Sequence, residues 1–485
     1  MKPSRRVSLP MPPWPPGVLR QRVSDLEADI LHHEYVLQDL KEQRSAVLSD
    51  LNLVTYPVLT LPLGITAEIF KRCIEPGRPY SAWAPLVLTR ICHQWRVLAF
   101  ATPALWDTID EIEFDDGFAA PRHPQPETFI STWFSRAGTR PLSLGIMCPD
   151  TLHSVSLELI ILQHASRFQH LDVLADVKSL YDFNPVQPFP ILSDLALRCL
   201  RDPDDREGRI QLFDIHTAPA LRRLCLENLL PSMVIMPWAQ LTKMSLVLIP
   251  LWECLDALRW ATSLREFHRN SPPEEEGQLV PEQRSPVNHS SLVSLTISAD
   301  GDEDILPLLT LACLQRFELG GCFGKYLEYL DGDVVPFLSR VSATLRTLKV
   351  GMSPTVPIQS LQPLTQLTTL ELVRSVHLPF NTDIISALDR RSSPDFLPRL
   401  QTFVVSECGS DQVDDELLDT LGSRCDATDA AHGRLESFSL IWPTFEYSSA
   451  VPKARLPLVN VLPLRALAGR GMRIHIGTRD QNSFY

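Results

Sequence analysis

Nowhere in this 485-residue chain does an apolar run reach the roughly 18–20 residues that a bilayer crossing needs. Positive charge is in deficit: 45 Lys and Arg stand against 58 Asp and Glu, a net −13 at pH 7. That balance argues against a broad nucleic-acid-binding surface. Glycine is scarce at 20 residues while proline is abundant at 41, a combination suited to many fixed corners rather than flexible linkers. The ten cysteines (Cys73, Cys92, Cys148, Cys199, Cys225, Cys254, Cys313, Cys322, Cys408 and Cys425) form no Cys-x-x-Cys pair and sit mostly among apolar residues. They read as reduced core residues of an intracellular protein. The N-terminal MKPSRRVSLPMPPWPPG is basic but broken by prolines, and it lacks the apolar centre of a secretory signal. The glycosylation sequon at Asn288 therefore reads as chance.

Catalytic signatures are missing too. There is no Gly-x-Ser-x-Gly, no glycine-rich phosphate loop and no His-Glu-x-x-His. Cys92-His93 has no companions at metal-ligand spacing. Asp300 to Asp304 starts like a calcium loop, but Ile305 and Leu311 occupy the positions that need glycine and glutamate. It reads instead as a polar turn. His164, His170 and His216 share no spacing. The expectation is a chain with no catalytic centre, no cofactor and no metal.

What the chain does contain falls into successive regions. Residues 1–17 read as a disordered, proline-rich tail. Over 18–56 a heptad pattern runs. Leu19, Leu26, Leu40, Val47 and Val54 fill one column, and Val23, Ile30, Leu37 and Leu51 the other. His33 and Arg44 are the polar intruders, and Asp25, Glu27, Asp29, Lys41 and Glu42 line the outer face. Two readings stay open: a coiled coil that forms a homodimer through residues 19–54, or a single helix laid on its own chain. Tyr56-Pro57 ends the helix.

From Leu61 to Trp106 two short helices carry more apolar residues than so small a segment can bury alone. Ile65, Ile69 and Cys73 share one face of the first, with Phe70 beside them. Leu88, Ile91, Cys92, Trp95, Leu98 and Ala99 make the stripe of the second. Leu105 and Trp106 follow as large apolar anchors.

Over 128–480 a unit Leu-x-x-Leu-x-Leu recurs. Copies start at Leu192, Leu221, Leu241, Leu292, Leu314, Leu345, Leu367, Leu400 and Leu435, with an earlier one at Phe168 and a degenerate one at Leu264. The steps range from 20 residues (221 to 241) to 35 (400 to 435). Such a recurrence predicts a leucine-rich-repeat solenoid: short strands stack into a parallel sheet, with helices or turns returning behind it. Two charged segments, 201–207 and 271–287, read as loop insertions, the second acidic and mobile. Gly320-Gly321-Cys322 and Glu407-Cys408-Gly409 read as turns after strands. The fold class expected is α/β: an N-terminal coiled-coil helix, a small helical domain at 57–110, then an irregular solenoid with a curved parallel sheet.

The segment at Leu61-Pro62, Ile65, Ile69-Phe70, Leu86, Leu88 and ICHQWRVLAFATPALW resembles the F-box, more narrowly that of fungal F-box proteins with C-terminal leucine-rich repeats. Gly64 and Thr66 depart from the family pattern, which usually has an acidic residue and often a leucine there. A glycine within a helix costs about 0.5–1 kcal/mol relative to alanine. The resemblance implies a substrate receptor of an SCF-type cullin-RING ubiquitin ligase, in the cytoplasm or nucleus. The F-box would dock on the Skp adaptor through Leu61, Pro62, Ile65, Ile69, Leu86, Leu88, Ile91, Cys92, Trp95 and Trp106, some of them forming the box's own core. The repeats would hold an unknown target protein. The rival is a repeat scaffold whose F-box is degenerate and which oligomerises through the coil.

Overall fold

The computed structural model describes residues 15–53, 60–74, 84–113, 126–148, 160–176, 180, 188–200, 217–270, 285–298, 302–320, 334–352, 358–374, 382–406, 413, 415–425, 433–442 and 458–478. The proline-rich tail to residue 14, the insertions at 201–207 and 271–284, Val54, His216, Cys322 and residues 407–409 lie outside that set. The chain divides into two compact units, Met1–Phe100 and Ala101–Tyr485. It is mixed α/β, with an N-terminal helix and a large parallel sheet.

The first unit opens with α1 (Pro16–Leu53), 38 residues without a break. Pro16 stands at the first helical position, where its missing N–H costs nothing. Gln21–Asp25, Gln38–Glu42 and Asp39–Gln43 hydrogen bonds, at 2.9, 2.9 and 2.8 Å, join outer side chains one turn apart. Every described residue from Gly17 to Asp50 is exposed, the seam residues Leu19 to Val47 included.

Three further helices follow rather than the two expected: α2 (Leu63–Cys73), α3 (Ala84–Ile91) and α4 (His93–Phe100). The break is at Cys92. Its thiol accepts the Trp95 backbone N–H at 3.4 Å, and the Arg96 guanidinium donates to the Thr89 carbonyl at 2.8 Å. Side chains thus satisfy groups that a continuous helix would pair along its backbone.

Among its described residues the second unit has sixteen strands: β1 (Thr108–Glu113), β2 (Leu142–Cys148), β3 (Phe168–Ala175), β4 (Asp194–Cys199), β5 (Arg223–Glu227), β6 (Lys243–Val247), β7 (Glu266–Asn270), β8 (Val287–His289), β9 (Ser294–Ser298), β10 (Leu309–Leu311), β11 (Arg316–Gly320), β12 (Thr347–Met352), β13 (Thr369–Arg374), β14 (Thr402–Ser406), β15 (Ser437–Ile441) and β16 (Arg473–Gly477). Fourteen form one sheet in sequence order, and every pairing in it is parallel. β8 and β10 pair with each other beside it. Helices return the chain between several strands, among them α5 (Pro126–Arg136) and the helices Leu251–Trp260, Val334–Val341 and Asp415–Cys425.

Each repeat copy read from the sequence lands on a strand, and its last two apolar residues point inward. Leu195, Leu224, Met244, Phe267, Leu295, Phe317, Leu348, Leu370, Phe403, Phe438 and Ile474 stand opposite one another from β4 to β16, all buried. A second row runs parallel through Leu197, Leu226, Leu246, Ile297, Leu319, Val350, Leu372, Val405, Leu440 and Ile476. It is interrupted by Arg269, the reason the copy at Leu264 looked degenerate. That side chain is buried nevertheless, and it donates to the Ile249 carbonyl at 3.5 Å.

Buried polar groups elsewhere tie the returns together. Glu253, fully buried, accepts from the Ser232 amide at 2.8 Å and from the Ser232 hydroxyl, holding the short 3-10 turn Pro231–Met233. Arg424 donates to the carbonyls of Leu388, Phe396 and Leu397 at 2.6, 2.6 and 3.0 Å. Burial, and the neighbouring Arg390, pull its pKa down to about 10, which still leaves it charged at neutral pH.

The first unit ends at Phe100 and the second begins at Ala101, inside the 57–110 span read as the small helical domain. Residues Thr102 to Trp106 belong to the second unit, where Leu105 and Trp106 lie in the interior ahead of β1. Trp106 packs edge-on to Trp133 with ring centroids 4.8 Å apart, and the Arg136 guanidinium sits 4.5 Å over its ring. Truncating the fully buried Leu348 tests the stacked core. Leu348→Ala should destabilise the second unit by about 2–5 kcal/mol in denaturant unfolding. A loss under about 0.5 kcal/mol, the range of ordinary surface changes, would contradict this packing.

Candidate interaction surfaces

Two surfaces remain after the cores are accounted for. The first is on α2–α4. Thr66 and Phe70, one turn apart, form the buried stripe of α2; Pro85, Leu88 and Thr89 form that of α3; Ala99 is the buried residue of α4. Phe70 meets Trp95 edge-on at 4.9 Å. Ile65 and Ile69 lie on a neighbouring stripe of α2, 53% and 41% exposed, and Ile91 of α3 is 55% exposed.

Of the ten residues expected to meet an adaptor, Pro62, Ile65, Ile69 and Ile91 are exposed. Leu61, Leu86, Cys92 and Trp95 are half-buried, and Leu88 and Trp106 are interior. Leu88 serves the small helical core. Trp106 serves the second unit, so its size marks a core position and not a free anchor. Leu63, Val87, Val97 and Phe100 are further exposed apolar residues, and they lie off the stripes expected from the sequence. Their signal was present: these short helices carry apolar residues on more faces than one core can use.

The second surface is the open face of the sheet. Along its first row stand His170, Asp194, Arg223, Lys243, Glu266, Ser294 and Arg316. Their charges join strand to strand. Asp194 takes Arg223 and, at 2.9 Å, His170; Glu266 takes Lys243 at 3.3 Å and Arg316 at 3.4 Å. In the next row Lys349 pairs with Glu318, and Arg198, one row further along, donates to Asp172 at 2.9 Å. Gly145, Ala196, Cys225 and Ser245 are small, and they floor an open depression of about 390 Å³. Asp110, His170, Asp172, Asp194, Arg223 and Lys243 rim it.

Burial lowers the pKa of His170, and Arg223 adds to this. Its Nδ1 stands 2.9 Å from the Asp194 carboxylate. His268 is lowered chiefly by burial, and its Nδ1 lies 3.0 Å from the Ser245 hydroxyl. Glu318, the acid whose charge bears on it, stands two strands away, roughly 9–10 Å at the usual spacing. A Ser–His–carboxylate relay is therefore not formed. Burial also pushes the Cys225 thiol up, away from the thiolate that nucleophilic chemistry needs.

The cysteines correct one expectation. Cys148, Cys199, Cys254 and Cys425 are core residues as expected, but Cys73, Cys92 and Cys225 are only half-buried and Cys313 is exposed; all eight are free thiols. Among the described residues, no cluster of three or more His, Cys, Asp or Glu could hold a metal, and no helix is long and apolar enough to cross a membrane. The sequence matches no protein-family model, and no curated protein matches it.

Two outcomes follow from this division between core and surface. Phe70→Ala should cost about 3–5 kcal/mol and melt α2–α4 by circular dichroism, while Ile65→Ala should stay within about 0.5 kcal/mol; equal losses would show that the two stripes are misassigned. The second concerns pH. His164, His170 and His268 all have pKa values lowered mainly by burial. As pH falls through about 6.5 the unfolded chain takes up protons before the folded one does. Stability is thus complete above that pH and is lost below it. The denaturation midpoint should fall between pH 7.5 and 5.5; a flat profile over that span would refute it.

Proposed function

We propose that this chain is the substrate-recognition subunit of an SCF-type cullin-RING ubiquitin ligase, in the cytoplasm or nucleus, and is not itself an enzyme. In this reading α2–α4 are an F-box that docks on the Skp adaptor. The sheet is a leucine-rich-repeat solenoid, and its open face holds a target protein. The observation that carries the proposal is the exposed apolar surface of α2–α4: Leu63, Ile65, Ile69, Val87 and Ile91 stay in solvent although Phe70 and Leu88 already fill the interior. Fully burying a few such side chains contributes about 1.5–3 kcal/mol each, enough to sustain a stable complex. The repeat reading rests on eleven Leu-x-x-Leu-x-Leu copies whose strands pair in order and in parallel. The depression floored by Gly145, Ala196, Cys225 and Ser245 is the candidate seat for the target.

A scaffold with a degenerate F-box is the rival, and it draws on α2. Thr66 is buried, its hydroxyl donating to the Pro62 carbonyl at 3.4 Å, where the family often has leucine. Gly64 faces open space, with nothing within 4 Å of a Cβ built there. Co-purification with the Skp adaptor separates the two. The full chain should retain the adaptor, Ile65→Asp/Ile69→Asp should lose it with α2–α4 still folded, and Gly64→Ala should strengthen it. Failure of the wild type to bind, where an established F-box binds, rules the proposal out.

A further inference from the structure

We infer that α1 is one strand of an antiparallel two-stranded coiled coil whose other strand is a second copy of this chain. The inference goes beyond the ligase proposal and does not depend on it. Its ground is a 38-residue helix whose seam residues from Leu19 to Val47 are all exposed. One seam position carries Val23, Ile30, Leu37 and Arg44, and the other Leu19, Leu26, His33, Leu40 and Val47.

The polar intruders and flanking charges choose the direction. In a parallel pair each seam residue faces its own copy, so His33 would meet His33 and Arg44 would meet Arg44 in the apolar seam. On the flanks, Arg22 would meet the partner's Glu27, but Asp29 would meet the partner's Glu34, and the two effects cancel. In an antiparallel pair the two seam positions face each other. With Leu37 opposite the partner's His33, Ile30 falls opposite the partner's Leu40 and Arg44 opposite the partner's Leu26. No polar seam residue then meets itself.

The flanks also become complementary. Glu27 stands level with the partner's Lys41, and Arg22 with the partner's Asp50, each contact occurring twice by symmetry. One like-charge contact remains, Glu34 with the partner's Glu34 on the two-fold axis. Sliding the register one heptad in one direction sets Arg20 against the partner's Lys41 and Glu27 against the partner's Glu34. Sliding it the other way sets Asp29 against the partner's Asp50, which offsets Glu34 against the partner's Lys41, and it places Arg44 opposite the partner's His33 in the seam. The charges therefore select one register as well as one direction. Because the matching groups are the helix's own, a second copy satisfies them.

Charge exchange in the full-length protein tests this, with mass read by light scattering and helicity by circular dichroism. The wild type should show twice the 54.6 kDa chain mass at micromolar concentration. Glu27→Lys replaces two attractive contacts by two repulsive ones and should weaken the dimer about tenfold. Adding Lys41→Glu to the same chain should restore it, while adding Arg22→Glu instead should weaken it further. A monomeric wild type, a Glu27→Lys variant that dimerises unchanged, or rescue by Arg22→Glu (the parallel result) would each overturn the inference.

Discussion

Parallel register is the constraint on which the second unit depends. Two inward positions on each strand must arrive beside the two inward positions of the next, and they do so from Leu195 and Leu197 on β4 to Ile474 and Ile476 on β16. Slipping one strand by a single residue would turn its apolar pair outward and its polar residues inward. The open face inherits the same order. The ladder from His170 to Arg316 exists because the backbone sets those charges side by side, close enough for Asp194 and Glu266 each to take two partners. Ion pairs so exposed add little stability individually; their effect is to give that face a fixed charge pattern.

Much of this was legible because a leucine pair two residues apart, with a third three residues before it, identifies a strand regardless of what returns the chain. β1, β2 and β16 escaped for local reasons. In β2 the residue opposite Phe168 is Leu142, only two before Leu144, because the ladder shifts between Leu142 and Ser143. In β1 the inward residues Ile109 and Ile112 are three apart, again across a shift. In β16 the position opposite Leu435 is Gly471, at φ +93, so the leading leucine is missing. A pattern with fixed spacing cannot register a bulge.

The candidate docking helices were less legible, and the reason is also physical. Apolar character does not say which side of a thin domain a residue faces. Trp106 and Leu88 were as apolar as Ile65 and Ile91, yet the first two are interior and the last two exposed. Trp95 falls between, half-buried and stacked on Phe70. The depression on the sheet was not legible at all, since four small residues from four different strands become neighbours only after pairing.

Strand order has a consequence for how the molecule is made. In the main sheet each strand lies beside the strand that precedes it there in sequence, so no pairing spans the length of the chain. A polypeptide leaving the ribosome N-terminus first can lay each new strand on one already formed, closing short loops only. The growing edge of the sheet then moves forward with synthesis.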